Sequence, residues 1–235
     1  MTALPFKLQI DPLAAQFLFT VFGPLTAATL EAGRSAHNMV AGSDEGVAAA
    51  RSFGDLSHAV YVPIDPPTSG AGDLFIVDYW NSPEGLGRFF STPEVQKGGA
   101  MVFKQSDRVI WQSSPGLPRV VLPAPYGRND RWAGIVRGPV ASREAAEKMV
   151  TESVRKRLNI ARSRGLVSRE WFFKLPMPGD KPSAVEAIGL DLWFDADGMQ
   201  KTYAEPEEMT GLAGLFTARP MTAVFKKPAG MWVEW

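Results

Sequence analysis

The chain has 235 residues, of which 45% are hydrophobic, and its 25 basic side chains balance its 25 acidic ones. This composition is typical of a folded protein, and the absence of net charge argues against recruitment of nucleic acid or an anionic membrane. Cysteine is absent, which excludes a disulfide scaffold, a thiolate nucleophile and iron–sulfur or Cys-ligated zinc sites. No apolar run has the length of a signal peptide or of the ~20 residues that span a bilayer, so the sequence predicts a soluble, cytoplasmic protein.

The first half of the chain predicts the element order β-α-β-β-α-β. Short apolar runs rich in β-branched and aromatic residues indicate strands, Gly-Pro ends the first of them, and Ser82 followed by a proline and an acid indicates a helix start. In chain order the predicted elements are a strand at 17–21, a helical stretch at 26–53 interrupted at 42–44, strands at 58–62 and 74–80, a helix from Ser82, and a final strand at 108–111 after the apolar segment 101–104.

The second half repeats the first. Asp78-Tyr79-Trp80 reappears 113 residues later as Asp191-Leu192-Trp193, and at the same offset Pro93-Glu94 meets Pro206-Glu207. The second copy predicts strands at 132–136, 171–173 and 188–193, a long helix at 142–164, and a final strand at 230–235 after 222–226. The sequence therefore predicts two tandem units, 1–112 and 131–235, joined by a Pro-rich linker at 113–130.

The split βαβ order, with an Asp-x-Trp strand end, an aromatic helix and a Pro-Glu turn, resembles the dimeric α/β-barrel superfamily of ferredoxin-like proteins. The resemblance implies an α+β fold of two tandem ferredoxin-like domains, whose antiparallel sheets pack face to face as an intrachain dimeric α/β barrel. Relatives include cofactor-free monooxygenases on phenolic substrates, cyclases and isomerases, and haem proteins of the chlorite-dismutase group, so the resemblance specifies a fold and leaves the function open. Those haem relatives take an axial histidine from the C-terminal copy, and this sequence has none there.

Histidine is the scarcest acid/base group, with only His37 and His58 in the chain. Because Ser57-His58 aligns with Ser168-Arg169, the counterpart of His58 is Arg169. A residue that differs between the halves is more typical of a site than of the shared framework, and imidazole titrates near neutral pH. We therefore predict His58 as an acid/base residue, with His37 as a second candidate. A hydrogen-bonded structural histidine and a surface helix residue are the respective alternatives.

Asp78 recurs as Asp191, and on an alternating strand it shares a face with Trp80. A carboxyl in an apolar layer needs a partner or a raised pKa, as general bases do, although recurrence equally fits a structural hydrogen bond. If a cavity exists, we expect it in the first half, with Asp78 as a further catalytic candidate. The predicted substrate-binding residues are Tyr61, Trp80, Phe90 and Arg169.

Neither a phosphate-binding glycine loop nor a metal-ligand spacing is present, so the sequence predicts no cofactor, no metal, and no nucleic-acid or membrane partner. Two functions stay open. One is a cofactor-independent enzyme of monooxygenase, isomerase or lyase type that acts on a small apolar or aromatic molecule. The other is a non-catalytic small-molecule-binding or structural protein of the same fold. Sheet edges at 101–111 and 222–235, if exposed, would permit a homodimer of the fused pair.

Overall fold

The computed structural model describes residues 17–65, 72–121, 131–176, 185–205, 212 and 214–235. Within these residues the first half contains β1 (Phe17–Pro24), α1 (Leu30–Val40), α2 (Asp44–Ser52), β2 (Asp55–Pro63), β3 (Asp73–Trp80), α3 (Pro83–Phe90), α4 (Pro93–Val102) and β4 (Asp107–Gln112). The second half contains β5 (Arg119–Val121), β6 (Trp132–Val140), α5 (Arg143–Ser163), β7 (Leu166–Lys174), β8 (Val185–Trp193), α6 (Ala196–Tyr203) and β9 (Met221–Lys226).

Local signals in the sequence explain where the helices begin. The break predicted at 42–44 separates α1 from α2, because the Ser43 side chain accepts the Gly46 N–H and caps a new helix. Ser82 caps α3 in the same way through the Gly85 N–H, with Pro83 in the first turn. These two caps orient the short helices that lie on the outer face of the first sheet.

The strands form one antiparallel sheet that closes on itself. The strand order is β4-β1-β3-β2 in the first half and β9-β6-β8-β7 in the second. The halves join where β2 pairs with β9 and where β4 pairs with β7. These two junctions close eight strands into a barrel, and β5 pairs with β7 beyond the end of β4. Backbone groups at both junctions are therefore satisfied between the halves.

The barrel interior is filled by side chains from both halves. Tyr61, Phe75 and Phe172 lie fully buried in it, together with Trp111, whose indole N–H donates to the Thr20 hydroxyl at 2.8 Å. The helices cover the opposite, outer face of the strands, where separate apolar clusters form in each half. Alternation along each strand thus divides its side chains between the barrel and the helix layer. No described helix is long and apolar enough to cross a membrane.

Two expectations about the chain ends of each unit are wrong. Residues 101–102 are the end of α4 and do not belong to a sheet edge. The final strand of the second half is β9 at Met221–Lys226, not 230–235. The similarity of Val102-Phe103-Lys104 to Val224-Phe225-Lys226 therefore pairs a helix end with a strand. At the edges expected to permit a homodimer, two residues of β4 pair with β7 and two residues of β9 pair with β2, so part of each edge is paired within the chain. The homodimer itself stays a prediction.

Some predicted features fall in or near segments that the structure leaves undescribed. Within the predicted linker 113–130, residues 119–121 form β5, and 122–130 lie outside the described residues. The proline-rich loop residues 66–67 and 177–179 also lie outside them, as does the second Pro-Glu turn at 206–207.

Candidate active site

A cavity of about 520 Å³ lies between the outer face of the first sheet and the helices α1 to α4. Its size falls within the range of small-molecule sites, roughly 300–1,000 Å³. Most of its lining is apolar or aromatic, and at one side four titratable side chains meet: His37, Asp55, His58 and Asp78. An apolar chamber with one polar cluster is the arrangement expected of a site that binds and orients a small molecule.

Helix packing brings His37 to this cluster. It lies in the last turn of α1 and is only 1% exposed, so the alternative of a surface helix residue is excluded. A side chain at Gly98 of α4 would place its Cβ 2.1 Å from a Val40 methyl carbon. The absence of that side chain lets α1 and α4 pack closely and holds His37 over the sheet.

Strand register brings His58 and Asp78 together. The two residues are partners across β2 and β3, and both point to the helix side of the sheet, as Val60 and Trp80 do. His58 Nδ1 lies 2.7 Å from Asp78 Oδ1, and His58 Nε2 lies 2.9 Å from His37 Nε2. His37 Nδ1 in turn lies 3.0 Å from Asn38 Oδ1. The result is an unbroken hydrogen-bonded series from Asp78 to Asn38.

Burial dominates the electrostatics of the cluster. It raises the pKa of Asp78 well above its ordinary range, and it lowers the pKa of His58 to about 4. Burial, with a smaller contribution from the nearby His58, also lowers the pKa of His37 to about 4. Burial therefore favours uncharged imidazoles near neutral pH and a proton on the Asp78 carboxyl.

Asp55, which was not among the candidates predicted from the sequence, adds a second carboxyl at the first residue of β2. Burial and the neighbouring Asp78 raise the pKa of Asp55 to about 8, although its Oδ1 accepts the Ser57 N–H at 3.2 Å. Two carboxyl groups in one apolar pocket cannot both ionise easily. The only sequence signal for Asp55 was its position at the start of the strand that carries His58.

The segment 230–235 covers the cluster, which the prediction of a strand there did not anticipate. The Trp235 ring stacks on His58 with centroids 4.5 Å apart, and the Trp232 ring lies 5.1 Å from His37. The main-chain N–H of His58 donates to the main-chain oxygen of Trp235 at 2.7 Å, and the main-chain N–H of Trp235 donates to the His58 carbonyl. These contacts shield the imidazoles from solvent.

The other residues predicted to bind substrate divide between three places. Trp80 and Phe90 line the cavity beside Phe89, with Trp80 5.5 Å from the Phe89 ring. Tyr61 does not line it, because the alternation of β2 turns that ring into the barrel, where the Lys227 ammonium lies 4.0 Å from its centroid. Arg169 lies in the second half, where it lines a separate cavity of about 1270 Å³.

No protein-family model matches the sequence, and no curated protein matches it. Solved structures do match. An anthrone oxidase-like protein has a TM-score of 0.60 at 11% identity, over 91% of each chain. A proposed monooxygenase from Fusobacterium nucleatum subsp. nucleatum has a TM-score of 0.56 at 10% identity, over 95% of this chain and 98% of its own. A chlorite dismutase variant from Candidatus Nitrospira defluvii has a TM-score of 0.53 at 12% identity, over 92% of each chain.

The fold is that of the dimeric α/β-barrel superfamily. At these identities the likeness shows the fold alone, and activity has to be argued from the site. The resemblance to the dimeric α/β-barrel superfamily is thereby confirmed for the fold, whereas the division into two tandem ferredoxin-like units stays a prediction.

In the second half of the dimeric α/β barrel, the corresponding register positions hold a closed ion pair. Arg169 faces Asp191 across β7 and β8, as His58 faces Asp78, and its guanidinium binds both carboxylate oxygens at 2.9 and 2.7 Å. The Tyr203 hydroxyl donates to the same carboxylate, at 3.0 Å. A guanidinium does not give up its proton, so this pair has no acid/base capacity comparable to that of His58 and Asp78.

Donor groups for a metal ion are few among the described residues. Among the described residues, no group of three or more histidine, aspartate or glutamate side chains is placed to hold a metal ion. Both histidines of the chain lie in the first half and bond to each other through Nε2. The second half therefore offers no imidazole as a ligand.

Proposed function

We propose that the chain is a fused pair of ferredoxin-like units, 1–112 and 131–235, and that its first unit is a cofactor-independent enzyme. The substrate is a small, largely apolar aromatic molecule, and the reaction begins with removal of an acidic O–H or C–H proton. The observation that carries this proposal is the buried series His37–His58–Asp78 on the wall of a cavity of about 520 Å³.

The His58–Asp78 pair has the properties of a general acid/base. A carboxyl group bonded through one oxygen to an imidazole accepts a substrate proton on its other oxygen, while its own proton passes to His58 Nδ1. The imidazolium that forms lies beside the new substrate anion and attracts it in a site of low polarity. His37, 2.9 Å from His58, shares the positive charge. Groups arranged in this way contribute rate factors of about 10²–10⁴.

The aromatic wall supports an aromatic substrate. Trp80, Phe89 and Phe90 pack within 4.8–6.3 Å of one another or of Phe19, and Phe53 lies 6.0 Å from Phe89. Ring stacking and apolar burial are the main attractive terms such a wall supplies, at about 25 cal/mol per Å² of buried apolar surface.

The reaction type draws support from the names of structures with the same fold. One is called anthrone oxidase-like and others are proposed monooxygenases. Electron-rich aromatic anions react directly with O₂, so a site that forms such an anion needs no redox cofactor for that step. We therefore place the oxidase or monooxygenase reaction ahead of isomerase and lyase reactions.

A binding protein without catalysis is the second candidate. Both ring nitrogens of each histidine are engaged in hydrogen bonds, as they are in a structural network. In that case the cavity holds its ligand unchanged and the series only stiffens the wall.

Incubation with a panel of phenols, naphthols and anthrones tests the proposal, with O₂ uptake, product mass and thermal shift as readouts. We expect turnover of at least one member, and a decrease of about 10²-fold or more in Asp78→Asn with ligand binding retained. Asp65→Asn, a change at an exposed carboxylate, serves as the control. Ligand binding by the wild type without turnover favours the second candidate, and full turnover by Asp78→Asn refutes the assigned chemistry.

A further inference from the structure

The side-chain amide of Asn38 is oriented by the main chain of the segment 230–235. Asn38 Nδ2 donates to the Met231 carbonyl at 2.8 Å, and Oδ1 accepts the Val233 N–H at 3.0 Å. An amide nitrogen only donates and an amide oxygen only accepts. Exchange of the two atoms would set donor against donor at Val233 and acceptor against acceptor at Met231, so the oxygen is the atom that faces His37.

This orientation determines where the hydrogens lie along the series. His37 Nδ1, 3.0 Å from an oxygen that only accepts, carries a hydrogen. In an uncharged imidazole the other nitrogen then accepts, so His37 Nε2 accepts from His58 Nε2, which lies 2.9 Å away. With its hydrogen on Nε2, an uncharged His58 accepts at Nδ1, and the hydrogen of the 2.7 Å contact belongs to Asp78.

Burial favours this arrangement over its charge-separated alternatives. The same three hydrogens could be shifted toward His37, which would leave an imidazolium and an Asp78 carboxylate. His37, His58 and Asp78 are only 1%, 5% and 4% exposed, and charges in such surroundings are costly unless a partner neutralises them. Asn38 offers His37 an uncharged acceptor, so it supplies no such compensation.

We infer that Asn38 is a positioning residue that, held by residues 231 and 233, directs every hydrogen bond of the series from Asp78 toward His37. Asp78 then holds the mobile proton against His58 Nδ1, and His58 is the group ready to receive it. The catalytic meaning of this order rests on the proposed function, whereas the order itself follows from the contacts.

The order is measurable directly, because the chain contains only two histidines. Long-range ¹H–¹⁵N correlation spectra of ¹⁵N-histidine-labelled protein at neutral pH distinguish ring nitrogens with and without hydrogen. In the wild type we expect His37 to carry hydrogen on Nδ1 only, and His58 to carry it on Nε2. Hydrogen on Nε2 of His37 in the wild type would overturn the inference.

Asn38→Asp tests whether residue 38 sets the direction. The substitution preserves the shape and the accepting oxygen, and it adds a negative charge that favours protonation of His37. We expect His37 to carry hydrogen on both nitrogens and His58 to carry it on Nδ1, the reverse of the wild type. Asn159→Asp, at an exposed position of α5, should leave both rings unchanged. Wild-type tautomers in Asn38→Asp would refute a directing role.

Two further measurements keep the outcome decisive. If Asn38→Asp does not fold, Asn38→Ala replaces it, and there His37 should populate both tautomers; a single wild-type tautomer would count against Asn38. Where turnover has been found, Asn38→Asp should lower kcat by about 10-fold or more with KM unchanged. The tautomers are measured without substrate. If they are as expected but the protein turns over none of the tested compounds, the proposed function is refuted and the inference about Asn38 stands.

Discussion

Substitution of Asp55 by asparagine should stabilise the protein, and increasingly so as the pH rises. Burial and Asp78 raise the pKa of Asp55 from 3.8 to about 8, so the folded state holds a proton that the unfolded chain releases. A carboxyl group whose pKa is raised in the folded state makes its full contribution to stability below pH 4, and this contribution is lost as the pH rises toward 8. Asparagine keeps an oxygen for the Ser57 N–H and has no proton to lose.

The size of this stabilisation follows from the difference between the pKa of Asp55 in the unfolded chain and its pKa in the folded state. Each unit of pKa shift corresponds to about 1.4 kcal/mol, so the whole shift sets an upper bound of about 6 kcal/mol. His37 and His58 act in the opposite direction, because their folded pKa values of about 4 lie below the ordinary 6.5. Their contribution increases between pH 4 and 6.5 and is constant above it. Between pH 6.5 and 8 the contribution of the histidines is therefore constant, while the contribution of Asp55 to the free energy of unfolding changes by about 2 kcal/mol.

Urea denaturation of the wild type and Asp55→Asn at pH 5, 6.5 and 8 measures this difference. The free energy of unfolding of the variant should exceed that of the wild type by an amount that increases by about 2 kcal/mol between pH 6.5 and 8. Asp65→Asn removes an exposed carboxylate and should give a difference that does not change over this range. A pH-independent difference for Asp55→Asn would refute the raised pKa.

Two further predictions concern the buried ion pair of the second half and the close contact between α1 and α4. Asp191→Asn removes the carboxylate that binds the Arg169 guanidinium, which is only 5% exposed, and should cost about 3–5 kcal/mol of unfolding free energy by urea titration. A cost below 1 kcal/mol would contradict a closed ion pair. Gly98→Ala places a Cβ 2.1 Å from a Val40 methyl carbon and should cost about 1–3 kcal/mol by separating α1 from α4. Its control, Gly87→Ala, has nothing within 4 Å and should stabilise α3 by about 0.5–1 kcal/mol; equal effects of the two would argue against close helix packing.

Local patterns predicted most elements of the first half, although the helix α4 was not among them. Alternation in 74–80 placed Asp78 and Trp80 on one face of β3, and the serines at 43 and 82 marked the helix starts that the structure contains. The comparison of His58 with Arg169 also directed attention to the half where the polar cluster meets a cavity. The catalytic roles of His37, His58 and Asp78 remain predictions.

Long-range contacts decided the rest. Part of each predicted edge forms a barrel junction, because the ends of β4 and β9 pair with strands of the opposite half, more than fifty residues away in the chain. Tyr61 turned into the barrel although its residue type suited a cavity wall, since strand parity relative to His58 determines its side.

The sequence by itself determined the strand and helix pattern and the scarcity of histidine in this protein. Only the tertiary structure joined His37 to His58, and only it brought Asn38 under the main chain of residues 231–233. Propensity and periodicity act over a few neighbouring residues, whereas the direction of a buried hydrogen bond depends on which distant group supplies the donor. The hydrogen-bonded series that begins at Asp78 therefore depends on the closed barrel and on the segment 230–235, which covers the two histidines.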